Sequence, residues 1–297
     1  MKPLDHYLSG FQHPYSTFNL ARALSIYKTR NPFSNKGDFG HALLLAGSYG
    51  KIGAAVLAAK ACLSSGAGLL TVHIPSCGYE ILQTVLPEVM VTTDQHAYYL
   101  TNLPENVDKY QSAGIGPGIG LHAQTESLLK NFLHLFRNPC VLDADALNII
   151  SAKPELFSAL SVNSILTPHP KEFDRLFGES KTAFDRFEIA RNKAIQYKII
   201  LVLKGHFTGV FYPDGKISFN TSGNAGMAKG GSGDVLTGII TALLAQSYEP
   251  GHAAALGVYL HGVAGDMAAK LYSEESMLPS DLIQCLGKTF LKWKAKK

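Results

Sequence analysis

The sequence predicts an α/β protein built around a mostly parallel central sheet, and three observations support this prediction. Short apolar runs of strand length alternate with longer segments whose apolar residues recur at helical spacing over most of the 297 residues. Strands that alternate with helices pair in parallel through right-handed crossovers. Polar or glycine-rich stretches follow the strand-like runs, as in "HALLLAGS" and "VLDADALN", and the ligand sites of such sheets lie at the carboxyl ends of the strands.

The alternation begins near residue 41 and is followed by three predicted helices that finish the chain. Strands are predicted at 41–47, 69–74 and 88–93, from 112, from 140, from 164, at 199–205, and in a hairpin around Asp214-Gly215. Helices are predicted at 53–68, 79–86, 125–136, 184–197, 233–247, 251–271 and 279–294. Residues 1–35 mix proline, aromatic and polar residues around one possible helix. We therefore expect an N-terminal arm at 1–35 and one domain at 36–297.

Composition disfavours several classes of protein. Charged residues make up 17% and hydrophobic residues 46% of the chain, as in a compact globular protein. The net charge of +4 is too small to indicate a nucleic-acid-binding surface. The four cysteines form no C-x-x-C pair, which disfavours a zinc site or a disulfide framework. No signal peptide and no run of about 18 apolar residues is present, so we expect a cytoplasmic protein without membrane or nucleic-acid partners.

The stretch "GNAGMAKGGSGDVLTG" (223–238) places many glycines around one carboxylate, Asp234, where a helix is predicted to begin. Ser232 or Asp234 can cap that helix. Backbone N–H groups at a helix start favour an anion, and Gly231 and Gly233 let the backbone approach a phosphate. A side chain at Gly231 would then fill the anion hole. A glycine-rich turn capped by Asp234 explains the same pattern equally well.

Two common nucleotide fingerprints are absent from the sequence. Ser232 stands where a Walker loop requires lysine, and "GIGPGIG" contains no G-x-G-x-x-G. The chain therefore has neither a P-loop nor a Rossmann signature.

Further candidate residues follow other predicted strands. Asp143 and Asp145 could arrange water around Mg²⁺ bound to phosphates, although Asp145 could equally cap the next helix. His169 is held between two prolines, which favours a functional role over a structural one. Lys204 could reach a phosphate, and Gly118 belongs to a stiff "GPG" segment that suits a flat ligand or a tight turn. Together these features predict phosphoryl transfer that depends on positioning and charge stabilisation.

Six motifs in this order resemble those of the ADP/ATP-dependent NAD(P)H-hydrate dehydratases, a family of the ribokinase-like superfamily. They are "NKGDFGHALLLAGS", "GIGPG", "LDADALN", "LTPHPKEF", "LKGHFT" and "GNAGMAKGGSGDVLTG". The resemblance covers about residues 35–290. It implies a ribokinase-like three-layer α/β/α sandwich with a mostly parallel central sheet.

The resemblance also implies a repair reaction that returns hydrated NADH or NADPH (NAD(P)HX) to NAD(P)H. The ring hydroxyl would be phosphorylated by ADP or ATP with Mg²⁺, and phosphate would then be eliminated. Asp234 would be the catalytic base, and the anion hole would be formed by Gly231, Ser232 and Gly233. The residues implied to bind the hydrated cofactor are Ala55, Gly118, His169 and Asp234. Those implied to bind the nucleotide are Lys204, Gly205, His206, Phe207, Thr208, Asn224 and Gly233.

No H-E-x-x-H or similar set of ligands occurs among the 11 histidines, so we expect no permanently bound metal. The resemblance implies a homo-oligomer (a tetramer) and an NAD(P)HX epimerase as functional partner. Lys171 stands where the family often has glycine, and we expect it to be an exposed cation with a small effect on ligand affinity. Two alternatives remain. One is a small-molecule kinase that releases its phosphorylated product; the other is a non-catalytic nucleotide-binding module, which the intact Asp234 disfavours. The sequence does not distinguish ADP from ATP.

Overall fold

A ten-stranded sheet forms the centre of the computed structural model, which describes residues 3–297. The strands are β1 (Ser16–Phe18), β2 (His41–Leu45), β3 (Leu69–Pro75), β4 (Met90–Asp94), β5 (Ser112–Ile115), β6 (Cys140–Leu142), β7 (Ile165–Leu166), β8 (Ile200–Leu203), β9 (Gly209–Phe211) and β10 (Ile217–Asn220). The helices are α1 (Pro3–Tyr7), α2 (Leu20–Ile26), α3 (Ile52–Ser64), α4 (Tyr79–Val85), α5 (Ala123–Leu135), α6 (Ala144–Ala152), α7 (Pro170–Phe177), α8 (Ala183–Tyr197), α9 (Ser232–Ala245), α10 (Pro250–Tyr272) and α11 (Pro279–Lys294).

The sheet is mostly parallel. Its strand order is β1-β10-β9-β8-β7-β6-β5-β2-β3-β4, and every neighbouring pair from β8 to β4 is parallel. The hairpin predicted around Asp214-Gly215 is present as β9 and β10, with β9 antiparallel to both β8 and β10. Because β2 to β8 all run in the same direction, their carboxyl ends lie along one edge of the sheet.

Helices cover both faces of the sheet. In β2, Leu43 and Leu45 pack in the cluster that includes residues of α5, α6, α7 and α8. Ala42 and Leu44 point to the opposite face, which includes residues of α3, α4 and α9. Burial on both faces explains why these strands read as continuous apolar runs. The predicted α/β/α sandwich with a mostly parallel sheet is thus confirmed.

The N-terminal segment packs closely against the rest of the chain. β1 adds to the sheet in parallel with β10. Phe18 and Ala23 are buried on the α9 and α10 face, while Leu4 and Leu8 are buried on the α5 face. A three-residue edge strand is too short to produce a periodic signal, so the sequence indicated only one helix here. The division at residues 35 and 36 stays a prediction.

Two helix starts differ from the expectation. The helix α9 begins at Ser232 behind Gly231, and no side chain caps it, so the predicted cap by Ser232 or Asp234 is wrong. The N-cap residue directly before α6 is Asp143, and Asp145 lies inside the helix, so Asp145 is not its cap either. Asp145 instead accepts hydrogen bonds from the Gly120 N–H at 2.9 Å and from Lys51 Nζ at 3.3 Å. Among the described helices, none has the length and apolar character needed to cross a membrane.

Candidate active site

A cavity of about 730 Å³ opens at the carboxyl edge of the sheet. Asp143 follows β6, His169 lies in the loop after β7, and Lys204 follows β8; Gly233 and Asp234 belong to the first turn of α9. All five line this cavity. The fold thus brings together residues that are up to 91 positions apart, between Asp143 and Asp234, in the sequence.

The start of α9 presents free backbone donors to this cavity. Gly231 adopts a left-handed conformation with φ of +97°, which lets the chain turn sharply into the helix. The N–H groups of Gly233 and Asp234 donate to no other atom within residues 3–297. Unpaired N–H groups at a helix start attract an anion, so this turn can form an anion hole.

The two glycines of this turn face different surroundings. A Cβ at Gly231 would lie 2.5 Å from Leu57 Cδ1, behind the turn. A Cβ at Gly233 would lie 3.4 Å from Lys204 Nζ and 3.5 Å from Asp143 Oδ2, inside the site. The expectation that a side chain at Gly231 fills the anion hole is therefore wrong, because that side chain would strike α3. Gly233 is the position where a side chain would occupy the hole.

Lys204 is held in a network of buried carboxylates. Its Nζ donates to Asp143 Oδ1 at 2.9 Å and lies 3.8 Å from Glu172 Oε2. Thr237, one turn after Asp234 on α9, donates to Asp143 Oδ2 at 2.8 Å. Burial lowers the pKa of Lys204, but the charges of Asp143 and Glu172 outweigh it, so the net shift is upward. Lys204 stays protonated and has a fixed position.

Asp234 has a strongly raised pKa. Burial, reinforced by the charge of Asp143, raises its pKa to about 7, while Lys204 opposes the shift. A carboxylate with a pKa near the working pH is suited to accept a proton during reaction. The side chain that the sequence identified as a base therefore has the protonation properties of one.

The remaining residues implied to bind the hydrated cofactor lie in different environments. His169 accepts hydrogen bonds from the backbone N–H groups of Lys171 and Glu172 through Nδ1, and its Nε2 lies 3.4 Å from Glu172 Oε1. The residue lines the cavity. Gly118 lies beside Lys51 and Ala54, and its carbonyl accepts from Ser48 Oγ at 2.7 Å. Ala55 is fully buried in α3, so its methyl group does not reach the cavity.

Most of the residues implied to bind the nucleotide line the same cavity. Gly205, His206, Thr208 and Asn224 do so. Phe207 instead packs against Tyr7 of α1, with ring centroids 5.3 Å apart. The cavity therefore has a continuous wall from the strand end at Lys204 to the loop before α9.

Three further residues of the site were not found by sequence reasoning. Thr237 and Glu172 bind the Asp143–Lys204 pair, and His261 of α10 lies against Ser232. Thr237 and His261 lie on helices whose apolar pattern dominates, and their partners are distant in sequence. Glu172 had a local signal, since His169 and Glu172 form a capping box at the start of α7.

The backbone at the start of α6 was not predicted either. Ala144 is held at φ of +49°, a left-handed conformation that only the structure reveals.

The residues present fit an Mg²⁺ ion that enters with a nucleotide. Within the described residues 3–297, no group of three His, Cys, Asp or Glu side chains is arranged to hold a metal ion by itself. Burial is the main cause of the raised pKa of Asp234, and the charges of Asp143 and Asp145 raise it further, so carboxylate charge lies close to the cavity. Mg²⁺ bound mainly by phosphates and water needs only one or two such carboxylates nearby.

The fold and this cavity define a protein of the ribokinase-like α/β class. A protein-family model described as NAD(P)H-hydrate dehydratase matches residues 42–288. The chain therefore belongs to the NAD(P)H-hydrate dehydratase family. This confirms the family resemblance that the motifs indicated.

Similar proteins agree with this assignment. An ADP-dependent (S)-NAD(P)H-hydrate dehydratase of Bacillus subtilis is 35% identical over 88% of this chain and 92% of its own length. A bifunctional NAD(P)H-hydrate repair enzyme of Moorella thermoacetica is 40% identical over 86% of this chain, but over 50% of its own length. The chain thus spans about half the length of the bifunctional relatives that it matches.

Solved structures show the same architecture. The ADP/ATP-dependent NAD(P)H-hydrate dehydratase of Bacillus subtilis, co-crystallised with ATP and Mg²⁺, superposes with a TM-score of 0.81 at 30% identity, covering 94% of this chain and 99% of that one. A ribokinase-like superfamily protein of Enterococcus faecalis gives a TM-score of 0.82 at 30% identity, covering 94% and 96%.

Proposed function

We propose that this chain returns NAD(P)HX to NAD(P)H at the expense of ADP or ATP. The observation that carries the proposal is the half-buried Asp234, with its pKa raised to about 7, in the same helical turn as the unpaired N–H groups of Gly233 and Asp234. Membership of the NAD(P)H-hydrate dehydratase family supports the substrate. The name of the Bacillus subtilis relative supports the use of ADP.

In the first step, Asp234 accepts the proton of the ring hydroxyl. The hydroxyl oxygen attacks the terminal phosphorus of the nucleotide, the bridging P–O bond breaks, and AMP leaves from ADP or ADP leaves from ATP. The N–H groups at the start of α9 and the ammonium of Lys204 stabilise the negative charge on the phosphoryl oxygens. The Lys204 ammonium is fixed before the reaction, because it is already bound to Asp143.

In the second step, phosphate is eliminated from the ring. The ring C–O bond breaks with its electrons leaving on the phosphate, and a proton passes from the adjacent ring carbon to the departing phosphate, which restores the double bond of the dihydropyridine. His169, which lines the cavity, would contact the ring. Gly118, which lies beside Lys51 and Ala54 outside the cavity lining, would border the ring from that side.

The nucleotide would lie along the wall that follows β8. Lys204, Gly205, His206, Thr208 and Asn224 would contact its AMP part. Asp143 would hold, through water, the Mg²⁺ that accompanies the nucleotide, and that ion would neutralise phosphate charge when bound. Phe207 would support this wall from behind through its contact with Tyr7.

Three further features belong to this proposal. The bifunctional names of half-matched relatives support an NAD(P)HX epimerase as functional partner. The family resemblance supports a homotetramer. Four free cysteines, three of them buried, fit the reducing environment of a cytoplasmic location.

The direct test is incubation with hydrated NADH, Mg²⁺ and either ADP or ATP, while following the absorbance of the reduced nicotinamide. We expect that absorbance to return with one phosphate released per NADH, and not to return without nucleotide. Phosphorylated product that accumulates without absorbance would indicate a kinase. Nucleotide binding without any turnover would indicate a binding module, and either result would contradict the proposal.

A further inference from the structure

His261, on α10, contacts Ser232 in the first turn of α9, where the candidate anion hole lies. It is half-buried and borders the cavity. Its Nε2 lies 3.0 Å from the carbonyl oxygen of Ser232 and 3.4 Å from Ser232 Oγ. Ser232 is the first residue of α9, directly before Gly233.

The hydrogen-bonding role of His261 follows from its protonation state. Burial lowers its pKa to about 4, although the hydrogen bond with the Ser232 backbone acts in the opposite direction. The imidazole is therefore neutral near pH 7 and carries one N–H. Because a carbonyl oxygen can only accept, the proton must be on Nε2, which donates to Ser232.

The carbonyl that His261 holds is part of the same peptide group as a donor of the anion hole. The C=O of Ser232 and the N–H of Gly233 lie in one planar trans peptide, pointing in opposite directions. Fixing the C=O direction therefore fixes the N–H direction. A hydrogen bond accepted by the C=O also polarises the peptide and strengthens its N–H as a donor. The N–H of Gly233 is one of the two groups left free within the described residues.

We propose that His261 is a positioning residue that aims and strengthens the Gly233 N–H at the transferring phosphoryl group through the Ser232–Gly233 peptide. This inference rests on the proposed function. It gives α10 a part in phosphoryl transfer, although His261 itself donates to the peptide and touches no reacting atom. Gly231, the residue before Ser232, adopts a left-handed conformation, so Ser232 follows a sharp turn and no preceding helical turn supports its peptide group.

The test compares His261→Leu, which removes the donor at similar volume, with His261→Gln, whose side-chain N–H can reach the same carbonyl. Removing one donor of an oxyanion hole costs about 10²–10³-fold in kcat, so a donor that is only misdirected should cost about 10-fold or more. We expect this loss in His261→Leu with little change in KM for the nucleotide, and partial recovery in His261→Gln. His252→Leu is the matched control, because His252 lies on the same helix with its side chain 57% exposed.

Two NMR measurements separate this inference from the proposed function, since neither requires turnover. In the wild type, the ¹⁵N spectrum of His261 should show the proton on Nε2. The Gly233 amide resonance should shift in His261→Leu relative to the wild type and the His252→Leu control, both free and with Mg·ADP. A proton on Nδ1, or an unchanged Gly233 resonance in a folded His261→Leu protein, would overturn the inference. An equal loss of kcat in the leucine and glutamine variants with an unmoved Gly233 amide would do the same.

Discussion

Two cavities of similar size open at opposite edges of the central sheet. The candidate active site, of about 730 Å³, includes Lys204, which follows the last residue of β8. The second cavity, of about 770 Å³, includes Ile200, the first residue of the same strand. It lies between the N-terminal segment and the β9–β10 hairpin, and Arg22 and Ser218 are part of its lining. Size alone would therefore select the wrong end of the sheet.

The two cavities differ in how their charges are solvated. At the amino edge, Lys216 pairs with Asp214 at 2.6 Å, and the side chains are 81% and 52% exposed. At the carboxyl edge, Lys204 pairs with Asp143 at 2.9 Å, with exposures of 22% and 2%. Water screens the first pair, whereas the second retains most of its charge interaction. Catalysis by electrostatics requires the second kind of environment, so it is the carboxyl-edge cavity that we assign to chemistry.

The largest effect is expected from removing the base. Asp234→Asn keeps the shape of the side chain but cannot accept the hydroxyl proton, so turnover of hydrated NADH should fall by about 10²–10⁴-fold. Arg22→Ala, in the amino-edge cavity, should leave the rate within about twofold, as expected of a surface substitution away from the site. Steady-state kinetics of both variants measure the contrast. Near wild-type turnover by Asp234→Asn would remove the assignment of the base.

The second prediction concerns the two ion pairs. Lys204→Met leaves Asp143 and Glu172 buried without their cation, and breaking a buried pair costs about 3–5 kcal/mol. The variant should unfold at lower denaturant concentration and bind ADP more weakly. Lys216→Met breaks the exposed pair and should cost less than about 1 kcal/mol. Urea unfolding and calorimetric titration measure both; equal stability losses would mean that the two environments do not differ as described.

The third prediction tests where the anion hole lies. Gly233→Ala introduces a methyl group near Lys204 Nζ and Asp143 Oδ2, while its backbone stays helical. We expect a melting temperature close to that of the wild type and about 10-fold weaker nucleotide binding, equivalent to about 1.4 kcal/mol. Gly287→Ala is the control, since nothing lies within 4 Å of its added Cβ. Unchanged ADP affinity in Gly233→Ala would show that no phosphate approaches this glycine.

The sequence was most informative where the motif that predicts a site and the residues that form the site lie in the same short segment. The glycines around Asp234 and the position of Lys204 after an apolar strand were visible locally, and the alternation of strands and helices gave the sheet. It failed where the answer depends on backbone direction or on another element. Which way a Cβ at Gly231 points is set by its φ of +97°, and a three-residue β1 is defined only by pairing with β10. His261 reaches Ser232 from a separate helix 29 residues away, which no local pattern encodes.

The smallest expected effect is on the pH dependence of stability. Replacing a carboxylate should change the melting temperature in opposite directions at the two cavities. Burial raises the pKa of Asp234 from 3.8 to about 7, so the folded state binds its proton more tightly than the unfolded state. Stability should therefore fall as pH rises from about 4 to about 7, and Asp234→Asn should melt above the wild type at pH 8. At about 2–4 °C per kcal/mol for a domain of this size, a gain of a few degrees is expected, shrinking toward pH 4.

Asp214 provides the opposite case at the amino-edge cavity. The hydrogen bond from Lys216 lowers its pKa, so its contribution to stability is present above the unfolded pKa and is lost as pH falls. Asp214→Asn should therefore melt slightly below the wild type at pH 8, and by little because the pair is exposed. Thermal melts of both asparagine variants between pH 4 and pH 8 give the two signs directly. If Asp234→Asn also melts below the wild type at pH 8, the carboxylate is stabilised in the folded protein, and its pKa cannot be raised by the burial that makes it a base.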